Sequence, residues 1–61
     1  MGHLVGARVD TAGGQGRVTG FETERHWSYG RPHYTVWFHV ALENGRYALL
    51  TRDRFEVIPC D

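Results

Sequence analysis

Short runs rich in β-branched and aromatic residues, separated by glycine-containing segments, constrain the fold of this chain more than any other feature. No window shows the apolar spacing of an amphipathic helix, and such interrupted runs are typical of all-β proteins. A chain of 61 residues has a thin core, because it buries only about 60% of the surface that its unfolded form exposes. We therefore expect one all-β domain over residues 1–61.

Five strands are predicted. The first covers Leu4–Val9 and is followed by the glycine-rich loop DTAGGQG. The second covers Arg17–Thr23, where Gly20 indicates a bulge or a bend. The remaining predicted elements are a long loop at Arg25–Pro32, strands at His33–Leu42 and Arg46–Thr51, one tight turn at Arg52–Arg54 and a last strand at Phe55–Ile58.

The pair Asn44-Gly45 predicts a two-residue type I′ hairpin between the third and fourth strands. That turn would pair Ala41 with Ala48 and His39 with Leu50. Because side chains alternate between the two faces of a strand, one face would form the core. Its members are Tyr34, Val36, Phe38, Val40, Leu42, Tyr47 and Leu49.

The opposite face of this hairpin is too apolar for an ordinary solvent-facing surface. Trp37, Ala41, Ala48 and Leu50 would form a contiguous apolar patch, and such patches mark interfaces. We expect an oligomer interface at Trp37, Ala48 and Leu50. The alternative is that the loop Arg25–Pro32 folds back and covers the patch within the same chain.

The predicted loop and the strand after it carry the candidate binding residues. Arginine and aromatic side chains together stack on nucleic-acid bases, surround cationic groups and are enriched in protein interfaces. The alternative role for Trp27 and Tyr29 is to close one end of the core. The candidate residues are Arg25, Trp27, Tyr29, Arg31, Trp37 and His39.

The charge pattern favours a protein partner over a nucleic acid. The chain has no net charge and no lysine. Residues 25–54 contain five arginines against Glu43 and Asp53, a balance of 5 − 2 = +3. This weakly basic middle falls short of a dedicated nucleic-acid binder. We expect a protein partner or a second copy of the chain, with nucleic acid as the alternative.

Metal, disulfide and membrane signals are missing from the sequence. Cys60 is the only cysteine, so we expect no internal disulfide, a bystander thiol and a reducing compartment. No signal peptide and no apolar run of about 18 residues is found, which predicts a cytoplasmic protein without a membrane segment. We expect no metal and no cofactor, since metal-ligand spacing is lacking among His3, His26, His33 and His39.

The segments GARV, GRVTGF, YTVWF and YALLTRDRFEVI, in that order, resemble the SH3-like small barrels, which include KOW and Tudor modules. The resemblance covers nearly the whole chain and consists of short motifs. It implies a five-stranded SH3-like barrel with a single 3-10 type turn before the last strand. Function does not follow from such a fold.

Residues Gln15–Gly20 are similar to a QGxxxG motif of the plasmid-borne type II dihydrofolate reductases, a family of homotetrameric small barrels. That family binds folate and NADPH around a Val-Gln-Ile-Tyr strand, which here reads YALL over residues 47–50, and its pore lysine has no counterpart. The likeness implies architecture, oligomerisation and a bacterial mobile element as the source. We expect a non-catalytic interaction module, with a reductase-like oligomeric enzyme as a further alternative.

Overall fold

A computed structural model describes residues 4–59, so the predictions for His3 and Cys60 lie outside the described residues. Five strands form one sheet in which every neighbouring pair is antiparallel, in the order β4-β3-β2-β1-β5. A 3-10 turn at Arg52–Arg54 precedes the last strand. The predicted all-β class and the tight turn are confirmed. The strands are β1 Arg8–Thr11, β2 Gly14–Ser28, β3 Arg31–Leu42, β4 Tyr47–Leu50 and β5 Phe55–Val57.

The core shows that the sheet is strongly curled. Phe38 on β3 and Phe55 on β5 pack edge to face with ring centroids 5.4 Å apart, although β2 and β1 lie between their strands. In a flat sheet that separation would be roughly 14 Å, at about 4.8 Å per strand. The edge strands β4 and β5 are not hydrogen-bonded to each other in the described sheet. Among the described residues, the buried hydrophobic side chains are Val9, Val18, Phe38, Val40 and Phe55.

The first strand begins later than predicted. Gly6 has a φ of +92°, and the Ala7 N–H donates to the Leu4 carbonyl at 3.1 Å, so the chain turns before β1. The prediction of a strand over Leu4–Val9 is therefore wrong for its first four residues. The last strand ends at Val57, although the Ile58 N–H still donates to the Arg8 carbonyl at 2.8 Å.

The predicted loop Arg25–Pro32 is instead part of a long β-hairpin. Strands β2 and β3 pair without interruption from Phe21 opposite Phe38 to Ser28 opposite Arg31. Tyr29 and Gly30 form the turn between them, with φ values of +53° and +74°. A type I′ turn has positive φ at both central residues, and its twist matches that of the paired strands. Tyr29 takes the first of these positions although it is not a residue that this turn prefers.

This hairpin extends beyond the rest of the sheet. The pairing of β1 with β2 reaches only Arg17, and β4 pairs with β3 no nearer the tip than Phe38. Residues 22–37, here called the arm, therefore form a two-stranded ribbon. The molecule is elongated accordingly and measures 43 × 23 × 16 Å along its principal axes.

A β-bulge separates the core part of β2 from the arm. The register shifts between Val18 and Gly20, close to the predicted position, and the Thr19 hydroxyl donates to the His39 carbonyl at 3.3 Å. A bulge bends its strand and increases the local twist. The bend lies where β2 leaves the core and enters the arm.

The hairpin between β3 and β4 has a three-residue loop, Glu43–Gly45, and not the predicted two-residue turn. The Gly45 N–H donates to the Leu42 carbonyl at 3.0 Å, and the Leu42 N–H donates to the Arg46 carbonyl at 2.8 Å. Of the loop residues only Gly45 has positive φ. This arrangement is the type I turn with a glycine bulge that three-residue hairpins use.

The longer loop moves the register of β4 by one residue and exchanges its two faces. Ala41 pairs with Tyr47, and Phe38 pairs with Leu50. Ala48 and Leu50 therefore lie on the core face, and the prediction that they face outward is wrong. The core assignment of Tyr47 and Leu49 is also wrong, since they are 79% and 47% exposed.

Candidate functional site

The arm has two chemically different faces. Residues paired across neighbouring strands share a face, and successive residues along a strand point to opposite faces. One face continues the core side of the sheet, and we call it the inner face. It carries Thr23, Arg25, Trp27, Pro32, Tyr34 and Val36, and Phe21 continues it into the sheet. The outer face carries Glu22, Glu24, His26, Ser28, Arg31, His33, Thr35 and Trp37.

The structure divides the predicted binding residues between these surfaces. Arg25 and Trp27 lie on the inner face, whereas Arg31 and Trp37 lie on the outer face. Tyr29 occupies the tip. His39 continues the outer face toward the sheet, where it pairs with Leu49. They therefore form no single pocket.

The inner face is aromatic and lacks acidic side chains. Trp27 is 67% exposed and Tyr34 is 63% exposed, while Phe21 packs against Phe38 with ring centroids 6.2 Å apart. Arg25 is its one charged residue. The alternative in which Trp27 and Tyr29 close the core is wrong, because Tyr29 is 99% exposed at the tip of the arm.

At its base the inner face borders an open cleft of about 420 Å³ lined by Leu4, Tyr34, Val36 and Arg52, among others. Arg52 belongs to the 3-10 turn and is held in place by two contacts. Its guanidinium lies 5.0 Å from the centre of the Phe55 ring and donates to the Phe55 carbonyl at 3.0 Å. A positioned cation therefore adjoins the aromatic surface.

The outer face separates acidic from basic groups along its length. Glu22 and Glu24 lie near the sheet, whereas Arg31 lies next to the tip. The Glu22 carboxylate is 3.9 Å from the His39 ring nitrogen Nε2. This end-to-end asymmetry is absent from the inner face.

Between the two charged ends lies a histidine pair that the sequence analysis missed. His26 and His33 are directly opposite each other, with stacked rings whose centroids are 6.0 Å apart. Nε2 of His26 is 3.2 Å from the Thr35 hydroxyl, and Nε2 of His33 donates to the Ser28 carbonyl at 3.2 Å. Within residues 4–59 no cluster of three or more His, Cys, Asp or Glu side chains could hold a metal. The pair would have followed from recognising Tyr29-Gly30 as a hairpin turn.

An apolar patch does exist on the outward side of β3 and β4, with a different membership from the prediction. Tyr47 and Leu49 take the places expected for Ala48 and Leu50. The alternative that residues 25–32 fold back over this patch is wrong, because they extend away from it as the arm. We call this surface the outer patch, and it consists of Trp37, His39, Ala41, Tyr47 and Leu49.

None of the helical structure described for residues 4–59 is long or apolar enough to cross a membrane. No protein-family model, no curated protein and no solved structure matches the chain.

Proposed function

We propose that this chain is a small non-catalytic interaction module that binds protein surfaces, including a second copy of itself, through the arm and the outer patch. The supporting observation is the two-stranded arm, whose aromatic residues Trp27, Tyr29 and Tyr34 are exposed. An isolated two-stranded hairpin is at best marginally stable in water, so a covering partner would stabilise it. Aromatic and arginine side chains are also the residues enriched in interface hot spots.

We also propose that the curled sheet is an SH3-like small barrel. The strand order, with β5 beside β1, and the 3-10 turn joining the two edge strands support this assignment. The close approach of Phe38 and Phe55 supports it further, because it brings the edge strand β5 across one core from β3. The fold carries no argument for a particular partner.

The self-association part of the proposal is tested by sedimentation equilibrium from micromolar to millimolar concentration. The expected mass exceeds that of the 7.0 kDa monomer and rises with concentration. Leu49→Glu should weaken association, because it places a charge in the outer patch. Glu56→Gln on β5, outside the arm and the outer patch, is the control. A constant monomer mass across the whole range would contradict self-association.

The inner face favours single-stranded nucleic acid as a second candidate partner. Arg25 and Arg52 supply positive charge, and Trp27 and Tyr34 supply exposed rings on which bases can stack. Fluorescence anisotropy with a labelled oligonucleotide should show binding that weakens steeply with salt and is lost in Trp27→Ala. Absent or salt-insensitive binding would exclude this candidate.

The absence of catalysis is itself a proposal. An assay of NADPH oxidation in the presence of dihydrofolate is expected to show no turnover. Turnover would contradict the proposal and favour a reductase-like enzyme assembled between subunits. A cytoplasmic location and a bacterial mobile element as the source stay predictions from the sequence.

A further inference from the structure

The side chains on the outer face of the arm are complementary to the same face of a second copy that runs in the opposite direction. From the sheet toward the tip, β2 presents Glu22, Glu24, His26 and Ser28. In the same direction β3 presents Trp37, Thr35, His33 and Arg31. Acidic groups and the indole lie at one end, and hydrogen-bond donors and the guanidinium lie at the other.

Consider a two-fold axis that is perpendicular to the arm and lies between two facing outer faces. Such an axis stacks two outer faces with the arms running in opposite directions, so that each strand lies over the same strand of the second copy. With the axis midway between Glu24 and His26, each Glu24 carboxylate meets a His26 ring of the other copy. Each Trp37 then meets Arg31 of the other copy, which is a favourable cation–π pair.

We propose that two copies of this chain form an isologous dimer through the outer faces of their arms, packed antiparallel. This inference rests on the proposed self-association and specifies its geometry. Each contact occurs twice because the interface is symmetric. Trp37 is half-buried within one chain and belongs to both the outer face and the outer patch. The dimer therefore also covers part of the outer patch.

Two other arrangements satisfy the side chains less well. An axis along the arm would run the two arms parallel and bring the acidic ends of both copies together, and their arginine-bearing tips together, which is unfavourable. Packing of the inner faces would leave Arg25 without an acidic partner, since no carboxylate lies on that face. A nucleic acid on the outer face would be repelled by Glu22 and Glu24.

The antiparallel dimer also accommodates the tip of the arm. Gly20 and His39 form the next pair on the outer face, on the sheet side of Glu22 and Trp37. The space where a side chain of Gly20 would be is open. The tip of the second copy, with Tyr29, reaches this pair. The two inner faces point away from each other, so Trp27 of both copies stays accessible to another partner.

Charge exchange within one chain tests the central contact. Glu24→Arg should raise the dimer dissociation constant at least about tenfold, as measured by sedimentation equilibrium. The double variant Glu24→Arg, His26→Glu should restore it to within about threefold of the original, because each new arginine meets a new glutamate. Glu56→Arg on β5, outside the arm, is the charge-reversal control and should leave the constant unchanged. Thermal unfolding of each variant checks that the chain is folded.

The direction of the arms is measured with a spin label at Tyr29→Cys in a Cys60→Ser background. The antiparallel dimer places the two labels about 26 Å apart, from eight residues at about 3.3 Å each, whereas parallel arms place them about 10 Å apart. The shorter distance overturns the proposal. A dimer that is indifferent to Glu24→Arg overturns this geometry but leaves self-association standing. A wild-type chain that stays monomeric overturns both.

Discussion

His26 on β2 and His33 on β3 face each other across the arm, with ring centroids 6.0 Å apart and ring planes inclined by 20°. A stacked pair only two residue pairs from the tip shows that the strand register persists along the full length of the hairpin. The aromatic and arginine residues around it are consequently held at defined positions on two faces. A mobile loop would offer no such arrangement.

Replacing Tyr29 should stabilise the end of the arm. Its φ of +53° is strained for an ordinary L-residue, and a left-handed conformation costs roughly 1–2 kcal/mol. Tyr29→Asn should recover about 1 kcal/mol, because asparagine followed by Gly30 is a preferred type I′ turn. Amide hydrogen exchange near the tip should then slow about fivefold. Tyr29→Val should accelerate it, and equal rates in both variants would contradict this account.

Substitution by alanine should affect stability differently at two glycines on β2. A Cβ at Gly16 would lie 2.5 Å from the Ala41 carbonyl oxygen, whereas a Cβ at Gly20 would meet nothing within 4 Å. Gly16→Ala should therefore cost about 1–3 kcal/mol of unfolding free energy through overpacking. Gly20→Ala should be neutral or slightly stabilising. Urea denaturation of both variants checks this, and an unaffected Gly16→Ala would refute the close contact.

Phe38 should carry a large share of the stability of the chain. It is buried and contacts both Phe21 and Phe55, so Phe38→Ala should cost about 3–5 kcal/mol. A chain of this length has roughly 3–9 kcal/mol in total, so the variant is expected to be largely unfolded at moderate temperature. Calorimetry provides the measurement. Tyr34→Ala on the exposed arm is the control and should cost far less.

Asp53 should contribute stability above its titration range. Its pKa is lowered from 3.8, first by the hydrogen bond from the Thr51 hydroxyl, next by its own backbone N–H and also by the charge of Arg54. The folded pKa lies below the unfolded one. The contribution is therefore complete above pH 3.8 and is lost as the pH falls through the lower folded value.

Removing the hydroxyl tests this linkage. Thr51→Val should raise the Asp53 pKa toward its usual value, as followed by NMR titration of the side-chain carboxyl carbon. In Asp53→Asn, the free energy of unfolding should fall less steeply as the pH is lowered through the acid range. An unchanged pKa in Thr51→Val would show that the hydroxyl is not the principal cause.

The sequence predicted the elements whose signals are local. Glycine near position 20 coincides with the bulge, and RDR over residues 52–54 forms the expected tight turn. The alternation of Phe38 and Val40 places both in the core, as expected. These assignments depend on side-chain period and turn composition within a few residues.

Register was less accessible, because it depends on turn geometry that dipeptide preference leaves open. Asn44-Gly45 occurs in two-residue and in three-residue loops, and the one-residue difference turned Leu49 outward and Leu50 inward. Tyr29-Gly30 is not among the dipeptides that favour two-residue turns, so the sequence predicts a loop where the structure has the arm. The histidine pair and the two faces of the arm both depend on this turn, so the sequence does not predict them either.

The two-residue turn at the tip makes the reach of the arm adjustable without altering the core. Inserting or deleting two residues on each strand would lengthen or shorten the ribbon by about 7 Å and keep every side chain on its face. One residue on each strand would instead exchange the aromatic and charged faces beyond the insertion. We therefore expect relatives with arms of different length to differ in even steps per strand, with the curled sheet unchanged.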